Sequence, residues 1–533
     1  LLSLTIRKYW FLFLAVFLAV GFSLLLGQDA NWDLRNYHYY NPHAWLTDRS
    51  AIDIAPAQLQ SYFSPLADTV YYKLVKADFS SWVIGAILAI PVAITLFFLG
   101  MISVQVLPAE AGRFPVFAIL VLAATGASGF PVIGTTMSEW HITALFTSSI
   151  WLAIKYDVVQ KSNYKDKTLN DKALNPIKLH IIWLICGFLG GAGVGLKLTG
   201  GIYAIGLALM CLFTSGTFTC RIKYIVFLAV GGLIGFALTF SYWGLEMWSR
   251  FGNPLFPLFN NIFKSPLASL HSYADTRFAV KSTVEMMSLP YRLMSENFLV
   301  SEMSLRDWRL ALGLPAVTWL AFSPGKNSKD QRKLWLPIFV FCISSYLIWA
   351  GLWGIYRYAE TLEILLSLSI VSCLVKIIPN WNKLAIFLIC LIVVGTTKYP
   401  EWGRLPHGKP AVLSTIPELP YGSMVVIASL EPISYIVPGL PPEIPVISLI
   451  NNFMVPGQGQ IKLQSLATER VLNHDGPLWL LAKISSIEEK YYDGTPINAM
   501  LRDLGLLKST ECQKIISGLD GSNVELCKLL KEK

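Results

Sequence analysis

Charge is scarce in this chain: Asp, Glu, Lys and Arg make up only 14% of its 533 residues, against 54% hydrophobic, with a mean hydropathy of +0.52. That scarcity excludes an ordinary soluble protein, whose surface needs far more charge. Phosphate-binding Gly-rich loops of the Walker type, a dinucleotide fingerprint, HExxH and GxSxG in a fitting context are all missing, so a cytosolic nucleotide-sugar site has no support. No internal repeat of 20 to 50 residues stands out, which argues against solenoids and repeat-built transporters. The cysteines have no zinc spacing. Six of the eight (Cys186, Cys211, Cys220, Cys342, Cys373, Cys390) lie in or beside apolar segments, where Cys acts as a small hydrophobe. The other two, Cys512 and Cys527, fall in a polar C-terminal region and are expected to pair if the compartment is oxidising, a cross-link worth roughly 3 kcal/mol in the chain-entropy model.

What is present is a series of long apolar runs. A spanning helix needs about 20 mostly apolar residues, because hydrocarbon cannot hydrogen-bond a bare backbone. Eleven candidate segments meet or approach that: 10–26, 81–106, 114–133, 142–152, 179–194, 200–217, 224–243, 310–322, 334–350, 362–375 and 384–396. The fourth and eighth are short enough to be tilted or re-entrant. The sequence starts without Met, and Arg7 and Lys8 ahead of the first run resemble a signal peptide; a retained first helix is expected, since no small-residue cleavage site precedes Gln28.

With the N-terminus inside, the inner loops hold 17 Lys and Arg against 5 Asp and Glu, a balance of +12, while the whole chain carries +9. This follows the positive-inside rule and makes the basic balance topological, with no bearing on nucleic acid. The same orientation puts 27–80, 246–309 and everything after Lys398 outside. The expected domains are a transmembrane module, 1–398, and a small soluble α/β domain, 399–533. In the latter SMVVIASL and IPVISLI read as buried strands, INAMLRDLGLL and NVELCKLLKE as helices.

The first outer loop opens as DANWDLRNYHYYNPHAWLTDR, crowding Asp29, Asp33, Arg35, Asn36, His38, Asn41 and His43 against the membrane surface. On a helix Asp33 would share a face with Tyr37, and Asn36 with Tyr40. The stretch PAQLQSYFSPLADTVYYKLVKADF reads as an interfacial helix. An aromatic belt accounts best for the Tyr and Trp side chains. Asp33, beside Trp32 and close to the bilayer, points instead to proton abstraction.

Further along, GAGVGLKLTG puts Lys197 at the outer end of the fifth segment, where it either snorkels or meets a phosphate. GIYRYAETLE puts Arg357 at the mouth of the tenth, with Glu360 and Glu363 following: a helix-fixing ion pair, or a guanidinium that grips a lipid phosphate. SEWHIT carries Glu139 and His141, candidates for substrate contact or proton relay, and FGNPLFPLFNNIF reads as a membrane-dipping segment.

Taken together, WDLRNYHYYNPHAWL, QSYFSPLAD, GAGVGLKLTG, FGNPLFPLFNNIFKSP and IYRYAETLEILL resemble the GT-C superfamily of membrane glycosyltransferases, in particular bacterial family 87-like members, over most of 29–366. The resemblance implies a multi-pass protein of the bacterial inner membrane with its active site and C-terminal domain extracytoplasmic. It implies transfer of a sugar, with inversion, from a polyprenyl-phosphate donor to a glycan or lipid acceptor. An acidic residue of the first outer loop would be the base: Asp33, with Asp29 second, the choice being open because the usual adjacent acidic pair is absent. Lys197 and Arg357 would meet the donor phosphate, Asn36, His38, Glu139, His141 and Glu360 the substrates, and neither a metal nor another cofactor is expected. A lipid-linked glycan polymerase or ligase would share this site; a transporter would instead place charge at mid-membrane.

Overall fold

The computed structural model describes residues 10–158, 176–214, 217–323, 328–379, 382–408, 412, 414–455, 461–484, 488–519 and 523–532. Lys161, Lys165, Lys167 and Lys172, which weigh in the charge balance, lie outside them. The chain divides into two compact units. One comprises 1–26, 86–241 and 275–402, the other 27–85, 242–274 and 403–533.

The first unit is helical. Its principal helices are α1 (Trp10–Leu26), α2 (Ile90–Val106), α3 (Phe114–Ala124), α4 (Glu139–Ala153), α5 (Pro176–Leu196), α6 (Gly201–Cys211), α7 (Phe218–Phe251), α8 (Arg309–Phe322), α9 (Ser328–Leu352), α10 (Glu360–Ile377) and α11 (Asn382–Thr396). Each of the eleven apolar segments thus contains a helix. Among the described residues, four helices are long and apolar enough to cross a membrane: 81–106, 177–196, 218–251 and 334–352. The others are shorter; in the third segment the helix stops at Ala124, where Gly126, Gly129 and Pro131 interrupt the run.

Close packing here relies on small residues. A Cβ added at Gly187 would lie 1.9 Å from the carbonyl oxygen of Leu228, one at Gly191 1.9 Å from that of Gly232, and one at Gly231 1.9 Å from that of Leu184. Glycine therefore lets the backbones of α5 and α7 touch, which substitutes for the hydrophobic drive that lipid does not supply. A polar knot ties the same unit together: Arg309 pairs with Asp307 at 2.7 Å and donates to the carbonyls of Leu122 (3.0 Å) and Thr125 (2.7 Å), every side chain of the pair being fully buried. Both oxygens of Asp307 are used, by the backbone N–H and the guanidinium of Arg309 and by the N–H of Ala127. Glu363 joins the N–H of Ser128 and the hydroxyl of Tyr356 (3.0 Å), so it fixes the chain between α3 and α4.

The second unit is built on a six-stranded sheet in the order β3-β7-β8-β6-β4-β5, with β3 Ser414–Thr415, β4 Met424–Ala428, β5 Val446–Ile450, β6 Leu478–Lys483, β7 Leu506–Ser517 and β8 Asn523–Lys531. β5, β4 and β6 run parallel; β8, β7 and β3 follow antiparallel. The helix at Ile497–Asp503 falls within INAMLRDLGLL, but NVELCKLLKE is strand β8. Its apolar residues suit either period. Pairing on both sides, with β6 and β7, satisfies its backbone, and Cys527 is disulfide-bonded to Cys512 opposite it.

The first outer loop belongs to this unit. Gln28–Asp29 (β1) pairs antiparallel with Arg404–Leu405 (β2), and Ile54 bridges to Ile447 on the edge strand β5. Arg49, 1% exposed, grips Asp53 in a fork (2.9 and 3.0 Å) and donates to the carbonyls of Pro442 and Ile444. Asp53 in turn accepts from Tyr40 and from the N–H of Val446. The expected interfacial helix is broken into short turns at Gln58–Tyr62 and Leu66–Asp68 before a helix at Thr69–Lys76. Pro56 and Pro65 and the left-handed backbone of Gln58 (φ 57°) interrupt it.

Candidate functional site

Three helix ends of the first unit bring charge to one place. α4 begins at Glu139, whose carboxylate suits a helix N-terminus. α5 ends before Lys197, whose cation suits a C-terminus and whose extended backbone turns the chain toward Gly200 and Gly201. Arg357 lies in the short turn Tyr356–Ala359 that leads into α10. Its backbone is held by Ser128, whose hydroxyl donates to the Arg357 carbonyl at 3.0 Å.

The two cations meet on a single oxygen. Glu139 Oε1 lies 2.6 Å from Lys197 Nζ and 3.1 Å from Arg357 Nε. Aromatic faces complete the surround: Lys197 sits 5.2 Å over the Tyr358 ring, and Arg357 5.5 Å over Tyr358 and 5.2 Å over Trp402. Tyr358 is positioned through its carbonyl, which accepts from the Tyr203 hydroxyl at 2.5 Å. Glu139 is buried at 3% exposure, whereas Lys197 and Arg357 keep 18% and 14%, so the cations present an open side. Glu360, 1% exposed, lies beside Glu139 and Thr143 at the start of α10. His141 is half-buried on the first turn of α4.

The ion pair suggested by GIYRYAETLE is therefore made differently. Arg357 pairs with Glu139, 218 residues upstream, and Glu363 serves the buried knot instead. Sequence reasoning set Lys197 and Arg357 together on the donor phosphate and named Glu139 and Glu360 without joining them to the cations, and it missed Trp402 altogether. The neighbouring Tyr358 was readable in IYRYAE as a ring beside a cation.

The remaining candidates lie in the second unit. Asp29 is buried in β1, where its carboxylate accepts from the backbone N–H (3.0 Å) and the side chain (2.6 Å) of Asn31. Asn31 then caps Leu34 N–H at 2.7 Å. Asp33 is partly exposed at the head of Leu34–His38, a π-turn, so the four-residue spacings of Asp33 to Tyr37 and of Asn36 to Tyr40 do not define one α-helical face. Asn36, fully buried, donates to Gln60 at 3.3 Å. His38 Nδ1 shares a 2.7 Å contact with Asp68, a dyad that no sequence spacing announces across 30 residues. His43 bonds the Tyr72 hydroxyl at 3.0 Å, and burial together with Arg49 and Lys76 pulls its pKa down to about 4.

No family profile and no curated protein matches this sequence. Two solved structures are similar to this chain. ArnT from Cupriavidus metallidurans bound to undecaprenyl phosphate aligns over 72% of this chain at 10% identity and a TM-score of 0.46. The oligosaccharyltransferase of Archaeoglobus fulgidus, tethered to an acceptor peptide, aligns over 90% at 12% identity and a TM-score of 0.47. The chain spans 63% of the length of the first and 69% of the second.

Proposed function

We propose that this protein is a membrane glycosyltransferase that moves a sugar from a polyprenyl-phosphate donor to a glycan or lipid acceptor at the outer face of the bacterial inner membrane. The observation that carries the reading is the convergence of Lys197 and Arg357 on one anionic oxygen at the ends of α4, α5 and α10, with one side open. Two cations gathered where apolar helices end match a ligand with a greasy tail and a phosphate head. In this reading the acceptor hydroxyl attacks the anomeric carbon, the bond from that carbon to the phosphate oxygen breaks, and the electron pair goes to the phosphate. The cations stabilise the charge that grows there, and Asp33, with Asp29 as the alternative, takes the hydroxyl proton. Direct displacement inverts the anomeric centre.

The test is transfer from a radiolabelled polyprenyl-phosphate sugar by the purified full chain. Lys197→Ala and Arg357→Ala should weaken donor binding as well as turnover, since the phosphate is present in ground and transition states alike. Asp33→Asn should lower turnover by a factor of about 10² or more while donor binding persists. A dominant effect of Asp29→Asn would move the base by four residues, and near-normal transfer in both Asp variants and the double variant would remove the catalytic reading of the loop.

A further inference from the structure

We infer that Glu139 is a built-in stand-in for the donor phosphate: it holds Lys197 and Arg357 together and is displaced when a phosphate-bearing lipid arrives. The inference rests on reading these cations as the phosphate site, and deepens it by assigning the regulation of its occupancy. Two cations this close, largely withdrawn from water, repel each other and need an anion between them. Glu139 supplies one through a single oxygen, 2.6 Å from Lys197 and 3.1 Å from Arg357.

Comparison with the other buried carboxylates shows what is unusual. Asp53 uses both oxygens, accepting from Arg49 on each, from Tyr40 on one and from Val446 on the other. Asp307 does likewise with Arg309 and Ala127. Those are permanent fixtures. Glu139, equally buried, leaves Oε2 without a donor from any other described residue. Apart from its own backbone N–H, the two cations are what holds it among the described residues, and these are the members of the cluster that keep an exposed side. A phosphate offers several anionic oxygens in the same geometry, and so replaces the one oxygen Glu139 contributes. Competition of this kind weakens donor binding but assists release of the phosphate lipid after transfer, when the leaving group has gained charge and holds the cations more tightly.

The experiment measures binding of a polyprenyl monophosphate to the full chain in nanodiscs, with the matching uncharged polyprenol as control. Glu139→Gln keeps shape and removes the competing charge. It should bind the monophosphate about tenfold tighter, leave polyprenol binding unchanged, and lower KM and kcat together as release slows. Unchanged or weaker binding would overturn the inference and make Glu139 a structural organiser. If instead wild type and Lys197→Ala/Arg357→Ala bind monophosphate and polyprenol alike, the phosphate reading itself fails. A second measurement needs no variant. Displaced from its cations, Glu139 of the wild-type protein should react faster with a hydrophobic carbodiimide when the monophosphate is bound, and slower labelling would overturn the inference.

Discussion

At the scale of single residues, burial decides which polar groups are fixtures and which titrate into instability. His43 is 7% exposed and its pKa is pulled down to about 4, first by burial and then by Arg49 and Lys76. In the unfolded chain the same imidazole titrates near 6.5, so between that pH and about 4 the unfolded state binds a proton that the folded state refuses. Stability from this group is therefore complete above pH 6.5 and declines as pH falls, at up to about 1.4 kcal/mol per pH unit. His43→Gln should flatten that part of the profile, seen as a smaller drop in Tm from pH 7 to pH 5 than wild type shows. An equal drop would place the acid sensitivity elsewhere.

At the scale of elements, the contact of α5 with α7 depends on the absence of side chains. Gly191 faces the Gly232 carbonyl so closely that an added Cβ would lie 1.9 Å away, a distance no relaxation of a side chain can absorb because the obstacle is backbone. Gly191→Val should force the helices apart and cost about 1–3 kcal/mol, measured as a lower Tm in detergent. Gly395 in α11 has nothing within 4 Å of such a Cβ, so Gly395→Ala should be neutral or slightly stabilising. The glycines of α5, Gly187 and Gly191 among them, are plain in the sequence. Which backbone approaches them is not, since Gly231, Gly232 and Gly235 lie in an apolar run with no polar marker.

At the scale of the whole molecule, the first outer loop and the C-terminal region fold as one unit although residues 86–402 separate them in sequence. Arg49 reaches the carbonyls of Pro442 and Ile444, Asp53 the N–H of Val446, and β1 pairs with β2. Truncation after Trp402 should strand the buried Arg49–Asp53 pair and leave β1 unpaired. Limited proteolysis of the truncated protein should then cut within 27–80 much faster than in the full chain. Equal protection would show that the loop folds without its partner.

The sequence by itself determined the apolar helices, because a hydropathy pattern is a local property and backbone in hydrocarbon has few alternatives to helix. It determined the presence of an α/β region with strands at SMVVIASL and IPVISLI, and it named Asp29, Asp33, Lys197, Arg357, Glu139 and Glu360 as chemistry-bearing groups from residue type and position beside apolar runs. Only the tertiary structure decided how such groups combine. NVELCKLLKE became a strand because β6 and β7 flank it, the turn after Asp33 took the π form, and Arg357 met Glu139 across 218 residues instead of the Glu360 beside it. Long-range pairing of charges and strands depends on which helix ends and edges the fold brings together, and no local spacing in the chain encodes that.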